Sequence, residues 1–214
     1  MRQLLDSALE WIYPPKCALC REIGTPSPCP ECIAKMQAAV NPPGHLVSSR
    51  IREIRAVYDY ESPAGEAVRR LKYNRSRSLV PFMSRAVLRG YEWWKGDWDR
   101  IVPLPIHWTR KAERGFNQAE MLCRALPKEL IDTRILRRAR LTPPQASLGA
   151  DSRRSSPMGA FEASPACAGM KILIIDDVVT TGSTLKAAAD ALFEVGAVSV
   201  DALCFAVSPL GGDQ

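Results

Sequence analysis

The sequence predicts an α/β protein: a main domain built on a parallel sheet flanked by helices, preceded by a small cysteine-rich module. Three observations predict it. Residues 171–206 read as strand, helix, strand: an apolar run Lys171–Ile175, helical spacing from Ser183 to Val195 stopped by Gly196, then the apolar run Val198–Ala206. Two strands joined through a helix lie parallel in a sheet that helices cover. Four of the seven cysteines stand as two Cys-x-x-Cys pairs, Cys17/Cys20 and Cys29/Cys32, eight residues apart. The breaker cluster Asn41-Pro42-Pro43-Gly44 follows them, which places a boundary near residue 50 and divides the chain into 1–50 and 51–214.

The elements follow in order. Leu4 to Ile12 is an apolar, helix-like start that runs into Pro14-Pro15 and the cysteine pairs. Arg55–Tyr60 alternates as a strand does, Ala64–Lys72 has helical spacing, and Leu79–Trp93 is a longer amphipathic helix. Ile101-Val102-Pro103-Leu104-Pro105 is a short buried strand ending in a rigid turn, and Phe116–Leu126 is helical again. Between residues 134 and 161 lie six arginines (Arg134, Arg137, Arg138, Arg140, Arg153, Arg154) against Asp151, with Pro143-Pro144 and several serines. That is a poor core segment and reads as a mobile basic arm. Trp93, Trp94 and Trp98 read as the packed end of a helix.

With 214 residues and 46% hydrophobic content, the chain can bury one sizeable core and carry an appendage. No run approaches the roughly 18–20 apolar residues of a membrane span, and the N-terminal residues lack the pattern of a secretory signal. The expectation is a soluble, cytoplasmic protein. A net charge of +6 suits an anionic partner, a phosphorylated metabolite or nucleic acid, without choosing between them.

Two closely spaced cysteine pairs fit metal ligation better than a disulfide framework. Four thiolates complete a tetrahedral structural zinc site with no open position, so Cys17, Cys20, Cys29 and Cys32 are the expected ligands of a zinc ribbon. Cys123, Cys167 and Cys204 have mostly small or apolar neighbours, read as partly buried thiols and receive no role.

The most informative stretch is Ile172-Leu173-Ile174-Ile175-Asp176-Asp177-Val178-Val179-Thr180-Thr181-Gly182-Ser183-Thr184. An apolar strand delivers the chain to the carboxyl edge of a sheet, where open α/β folds bind ligands. Small residues, hydroxyls and a glycine then open a helix, so that backbone N–H groups and the helix dipole converge on a phosphate. Two carboxylates just before an anion cradle repel a bare phosphate. A sugar diol or a divalent cation next to that phosphate resolves the conflict, which points to a ribose 5-phosphate.

This thirteen-residue stretch resembles the phosphoribosyl pyrophosphate loop of type I phosphoribosyltransferases. The resemblance implies that Asp176 and Asp177 hold the ribose hydroxyls, that Thr180, Thr181, Gly182, Ser183 and Thr184 hold the 5-phosphate, and that Val178 and Val179 complete the loop. Enzymes for 6-oxopurines place an acid where Thr180 stands, so hypoxanthine and guanine are poor substrate expectations. Over nearly the whole chain, Pro14-Pro15-Lys16-Cys17, the segment Val102-Pro103-Leu104-Pro105-Ile106-His107-Trp108 with Arg110 and Arg114-Gly115-Phe116-Asn117-Gln118-Ala119, and the loop stand in the order that is similar to the ComF/GntX family. That family is phosphoribosyltransferase-like and associated with natural competence and use of external DNA.

The resemblance makes Lys72, Arg110 and Arg114 candidate pyrophosphate contacts, since an arginine pair at helical spacing can clamp a diphosphate; His107 can be a base, a pyrophosphate contact or a structural turn residue. It also implies magnesium on the diphosphate, and an arm, from Arg138 to Phe161, that closes over the ligand. Ser156 stands where the family commonly has asparagine. Two classes of function remain open: a DNA-uptake factor that binds phosphoribosyl pyrophosphate, with zinc ribbon and arm meeting single-stranded DNA or a helicase-like protein, or an active phosphoribosyltransferase joining a base or amine to ribose 5-phosphate.

Overall fold

The computed structural model describes residues 14–40, 51–138 and 159–208. The apolar start Leu4 to Ile12, the breaker cluster and boundary near residue 50, and the central part of the arm with Arg140, Arg153, Arg154 and Ser156 lie outside the described residues. In the cysteine-rich segment a short helix, α1 (Pro30–Ala34), follows the third cysteine. The main domain then runs β1 (Ile54–Asp59), α2 (Pro63–Tyr73), α3 (Val80–Trp94), β2 (Arg100–Pro103), α4 (Trp108–Arg114), α5 (Gln118–Leu122), β3 (Leu136–Arg138), β4 (Phe161–Ala163), β5 (Lys171–Val179), α6 (Ser183–Glu194) and β6 (Ser199–Val207).

Four strands form a wholly parallel sheet in the order β1-β6-β5-β2. Because side chains alternate across a strand, β5 sends Ile172 and Ile174 to one face and Leu173 and Ile175 to the other, all fully buried. In β6, Val200, Ala202 and Cys204 join the first layer, while Leu203 and Phe205 join the second. Burial on both faces is why these strands read as continuous apolar runs. The first layer is closed by α6 and the β3/β4 ribbon, the second by α2, α3, α5 and Trp98. Among the described residues no helix is long and apolar enough to cross a membrane.

Helix α2 shows how local sequence aims a functional end. The Ser62 hydroxyl accepts a hydrogen bond from Ala64 N at 3.3 Å, Pro63 opens the first turn, and Glu66 lies near the helix start, a pattern that stabilises an N-terminus. Gly65 permits close docking, since a Cβ there would fall 2.1 Å from the Tyr60 carbonyl oxygen. The last turn then delivers Lys72 to the carboxyl edge of the sheet.

Three expectations need correction. Strand β5 continues through Val179, four residues past the expected Ile175, so Asp176, Asp177, Val178 and Val179 belong to the strand and the turn proper is Thr180–Gly182. They stay in register because β6 offers a full ladder, Asp176 opposite Cys204 and Val179 opposite Val207. The expected helix Phe116–Leu126 is a short α5 followed by a 3₁₀ turn, Cys123–Ala125. The ends of the basic arm are ordered core: β3 and β4 pair antiparallel, and Ile135, Leu136, Ala160 and Phe161 are buried. Trp98 is buried as the helix-end reading requires, whereas Trp93 stands 67% exposed.

Away from the ligand edge, Asp201 is fully buried and satisfied by Trp98 Nε1 at 2.8 Å and Arg52 Nε at 3.0 Å. Pairing is what makes such burial tolerable.

Candidate functional site

At the carboxyl edge of the sheet, the end of β5 carries two adjacent acids that face opposite sides, as strand alternation requires. Asp177 is buried and faces the α2 side, where Lys72 Nζ lies 2.9 Å from its Oδ1. Asp176 is half-buried and accepts a 2.8 Å hydrogen bond from Asp177 N. Burial and the neighbouring Asp177 carboxylate push the Asp176 carboxyl up to about 8, against the opposing pull of that N–H, Lys72 and Arg138. Burial disfavours the Lys72 ammonium, yet the charges of Asp177 and Asp176 outweigh it and leave the lysine raised, with Arg114 acting the other way.

Arg138, at the end of β3, reaches the same site. Burial first, and the cation of Arg110 second, lower it, while Asp176 supports its charge. Its guanidinium packs 5.2 Å from the Phe161 ring centre, and its Nε is buried with no hydrogen-bond partner among the described residues. Four cations from three elements, Lys72, Arg110, Arg114 and Arg138, therefore lie within electrostatic reach of one another or of the two acids. Sequence spacing brings Arg110 and Arg114 onto one short helix; it could not reveal Arg138, which the β3/β4 strand pair holds within reach of Asp176.

Beyond the acids, Gly182 adopts φ 71° and opens α6 with no side-chain cap on its N-terminus. That left-handed conformation is open to glycine without the steric penalty a Cβ brings. Thr181 Oγ1 donates to Ser183 Oγ at 3.0 Å and receives Ser183 N at 3.4 Å, so Thr180, Thr181, Gly182, Ser183 and Thr184 fold as one turn into the helix. His107 caps α4: its Nδ1 lies 2.7 Å from Thr109 Oγ1 and accepts from Thr109 N at 3.4 Å.

Gln118 was not anticipated. Asn117 Nδ2 donates to the Leu104 carbonyl at 3.0 Å, and Leu104 N donates to the Ile175 carbonyl at 2.9 Å, so α5 is tied to the strand residue just before Asp176. Gln118 begins that helix at 2% exposure, and neither its Nε2 nor its Oε1 has a partner among the described residues. A buried, unpaired amide is costly and needs an explanation. A hollow of about 400 Å³ lies next to β2, lined among others by Pro103, Glu120, Cys123, Arg124 and Lys128, and neither acid lines it.

In the N-terminal segment the sulfurs of Cys17, Cys20, Cys29 and Cys32 lie within 4.8 Å of one another, with Cys17–Cys32 at 3.9 Å and Cys20–Cys29 at 3.6 Å. Tetrahedral thiolate ligation at about 2.3 Å requires sulfurs roughly 3.8 Å apart, so the four can hold a metal ion. Burial raises the Cys17 thiol, but hydrogen bonds from backbone N–H groups of Cys20, Cys29 and Leu19 outweigh it and bring the group down to about 6. The cluster is seated on the main domain: Ala18, Leu19 and Met36 pack on the α2/α3 layer, and Ala38 bridges Tyr58 on the edge of β1. Cys123, Cys167 and Cys204 are buried, and burial raises each thiol, which makes them poor nucleophiles.

Residues 112–211 match the profile of the phosphoribosyl transferase domain. The chain is 32% identical over 200 residues to the DNA utilization protein YhgH of Salmonella typhi, covering 87% of this chain and 83% of that protein. It is 31% identical over 199 residues to YhgH of Escherichia coli K12, with 87% and 82% covered. Against the competence protein ComFC of Bacillus subtilis the identity is 32% over 148 residues, 68% of this chain and 60% of that one. Among solved structures, a hypoxanthine phosphoribosyltransferase from Trypanosoma cruzi aligns at a TM-score of 0.36 and 13% identity, over 60% of this chain and 65% of that one.

Proposed function

Since the chain belongs to the ComF family of competence-associated, phosphoribosyltransferase-like proteins, we propose that it binds phosphoribosyl pyrophosphate with magnesium at the carboxyl edge of its sheet and serves in the uptake or utilisation of DNA, working in the cytoplasm. The observation that carries the reading is the acid pair at the end of β5, set between Lys72 and Arg138 and followed by an uncapped helix start. An anion cradle alone would suit any phosphate. The added carboxylates select a ligand that also offers hydroxyls.

In this reading Asp176 and Asp177 accept hydrogen bonds from the ribose diol, and the turn Thr180–Thr184 holds the 5-phosphate, with Val178 and Val179 as the strand that positions it. Lys72, Arg110, Arg114 and Arg138 face the diphosphate. Magnesium, when bound with the ligand, neutralises diphosphate charge. Cys17, Cys20, Cys29 and Cys32 hold a structural zinc ion, whose role is to fix the fold of the N-terminal segment.

A second reading, transfer of the phosphoribosyl group to a base or amine, is favoured by the unpaired Gln118 amide on the helix tied through Leu104 to Ile175, which is suited to an acceptor with donor and acceptor edges. Here the same cations would stabilise the departing pyrophosphate. Calorimetric titration of the zinc-loaded protein with phosphoribosyl pyrophosphate and magnesium, followed by a pyrophosphate-release assay across bases and amines, tests both. Binding without release supports the first reading and release the second. Absence of binding, or unchanged affinity in Asp176→Asn/Asp177→Asn, overturns the site.

A further inference from the structure

Next to the ligand edge lies a surface whose aromatic rings this assignment does not use, although Arg110 and Arg114 on the same helix face the diphosphate in it. Helix α4 buries none of its residues. Its first residue, Trp108, is 64% exposed, and at the end of α2 Tyr73 is 70% exposed. Large aromatic rings left in water at neighbouring helix ends do not help the core and offer a surface to a partner.

The two rings belong to one strip. The Arg114 guanidinium lies 5.6 Å from the Tyr73 ring centre, and Arg75 donates to the Glu113 carbonyl, joining the turn after α2 to the last turn of α4. Trp108 stands at the opposite end of α4, six residues from Arg114, an axial rise of about 9 Å. Between and beside the rings lie Arg75, Arg77 and Lys111, all exposed. Arg77 packs 5.1 Å from the Phe116 ring centre. The turn 74–78 contains no acid and α4 contains one, Glu113, while Lys111 lies 3.5 Å from Glu120. The strip is thus net basic with aromatic rings at its two ends.

We propose that this strip, from Tyr73 across the 74–78 turn and along α4 to Trp108, binds single-stranded nucleic acid, its rings stacking on splayed bases and its arginines lying against phosphates. Aromatic faces combined with positive charge are the chemistry that holds an unpaired strand without regard to sequence. A duplex offers the charge but keeps its bases stacked, so the rings would gain nothing from it. The choice of nucleic acid as the polymer deepens the DNA-handling reading given above, but the strip does not depend on the phosphoribosyl pocket. Ser78 Oγ donates to Ser27 Oγ at 3.3 Å, and Ser27 Oγ accepts from Ala18 N at 2.9 Å, so the cysteine-rich segment braces the same turn.

The test is fluorescence anisotropy with a labelled oligothymidylate of about 16 nucleotides, on the full zinc-loaded chain, with phosphoribosyl pyrophosphate titrated calorimetrically into the same preparations. Tyr73→Ala/Trp108→Ala is expected to weaken oligonucleotide binding at least tenfold, and Trp108→Ala alone to leave the affinity for phosphoribosyl pyrophosphate as it was. Arg75→Gln/Arg77→Gln is expected to reduce the slope of log affinity on log salt by about 0.7 per arginine. Absence of binding by the unaltered protein, equal affinity for a duplex of the same length, or an aromatic double variant that binds the single strand as tightly as the unaltered protein overturns the proposal. If oligonucleotide binding behaves as expected and phosphoribosyl pyrophosphate fails to bind, the pocket reading falls and the strip stands.

Discussion

Lys72 Nζ lies 2.9 Å from Asp177 Oδ1, joining the last turn of α2 to the end of the inner strand β5. Asp177 is buried, so its charge depends on that contact more than an exposed carboxylate would. Lys72→Met should lower stability in urea unfolding at pH 7 by about 2 kcal/mol. Asp177→Asn in the same chain should restore much of the loss. Strictly additive losses in the double variant would show that the two groups do not act as a pair.

The acid pair also predicts a pH dependence of unusual sign. Asp176 has a carboxyl pushed from 3.8 in the unfolded chain up to about 8 in the folded, ligand-free protein. Between those values the folded state holds a proton that the unfolded state has released. Stability therefore falls as pH rises through that window and levels off above it. In Asp176→Asn this contribution disappears, so the variant should melt a few degrees higher than the parent at pH 8.5. A variant that melts lower there would contradict the raised carboxyl.

The same proton bears on the ligand. Sugar hydroxyls donate to the carboxylate form, so binding below pH 8 must expel a proton, and affinity for phosphoribosyl pyrophosphate should climb between pH 6.5 and 8, by at most about tenfold per unit. Titrations in buffers of different ionisation enthalpy would register the release, and heats that do not depend on the buffer would rule it out.

Gln118 sets stability against function. Gln118→Leu removes an amide whose nitrogen and oxygen are both buried without partners, and the ligand-free protein should gain about 1 kcal/mol. If the amide meets the acceptor, pyrophosphate release should fall in the same variant while phosphoribosyl pyrophosphate still binds. A loss of stability would instead mean that the amide is already satisfied in solution, for example by buried water.

Chelation of the metal should act locally. The cysteine-rich segment contributes Gln37 and Ala39 to hydrogen bonds with Asp59 and Val57 on the β1 edge. Removing the metal should therefore speed amide exchange at Asp59 and in the cysteine segment, while Leu173, Ile174 and Leu203 keep their protection. Collapse of protection throughout the sheet would show that the segment and the main domain fold as one unit.

Much of this was legible in the sequence because it depended on local pattern. The apolar runs of β5 and β6, the glycine opening α6 and the paired cysteines each carry their signal within a few residues. What escaped depended on partners distant in the chain. The extension of β5 through Asp176–Val179 is held by its ladder with β6, and no propensity marks two adjacent acids as strand. Arg138 was read as part of a basic arm because its neighbours are arginines, and only the pairing of Leu136–Arg138 with Phe161–Ala163 turns it toward Asp176. Gln118 stands in the segment that resembles the ComF/GntX family, but its unpartnered burial gave no signal, since burial of an amide is set by the tertiary fold.

Among the described residues, each edge of the four-stranded sheet is met by a bridge from outside it, Ala38 on Tyr58 of β1 and Ile131 on Ile101 of β2. An open strand edge is a template for a second chain, and these bridges deny it on either side. The two guards are not equivalent. Ile131 belongs to the main domain, whereas Ala38 follows the cysteine cluster by six residues and keeps its place only while that cluster is closed. Metal starvation would then first be felt as stickiness, copies of the chain adding to one another along β1.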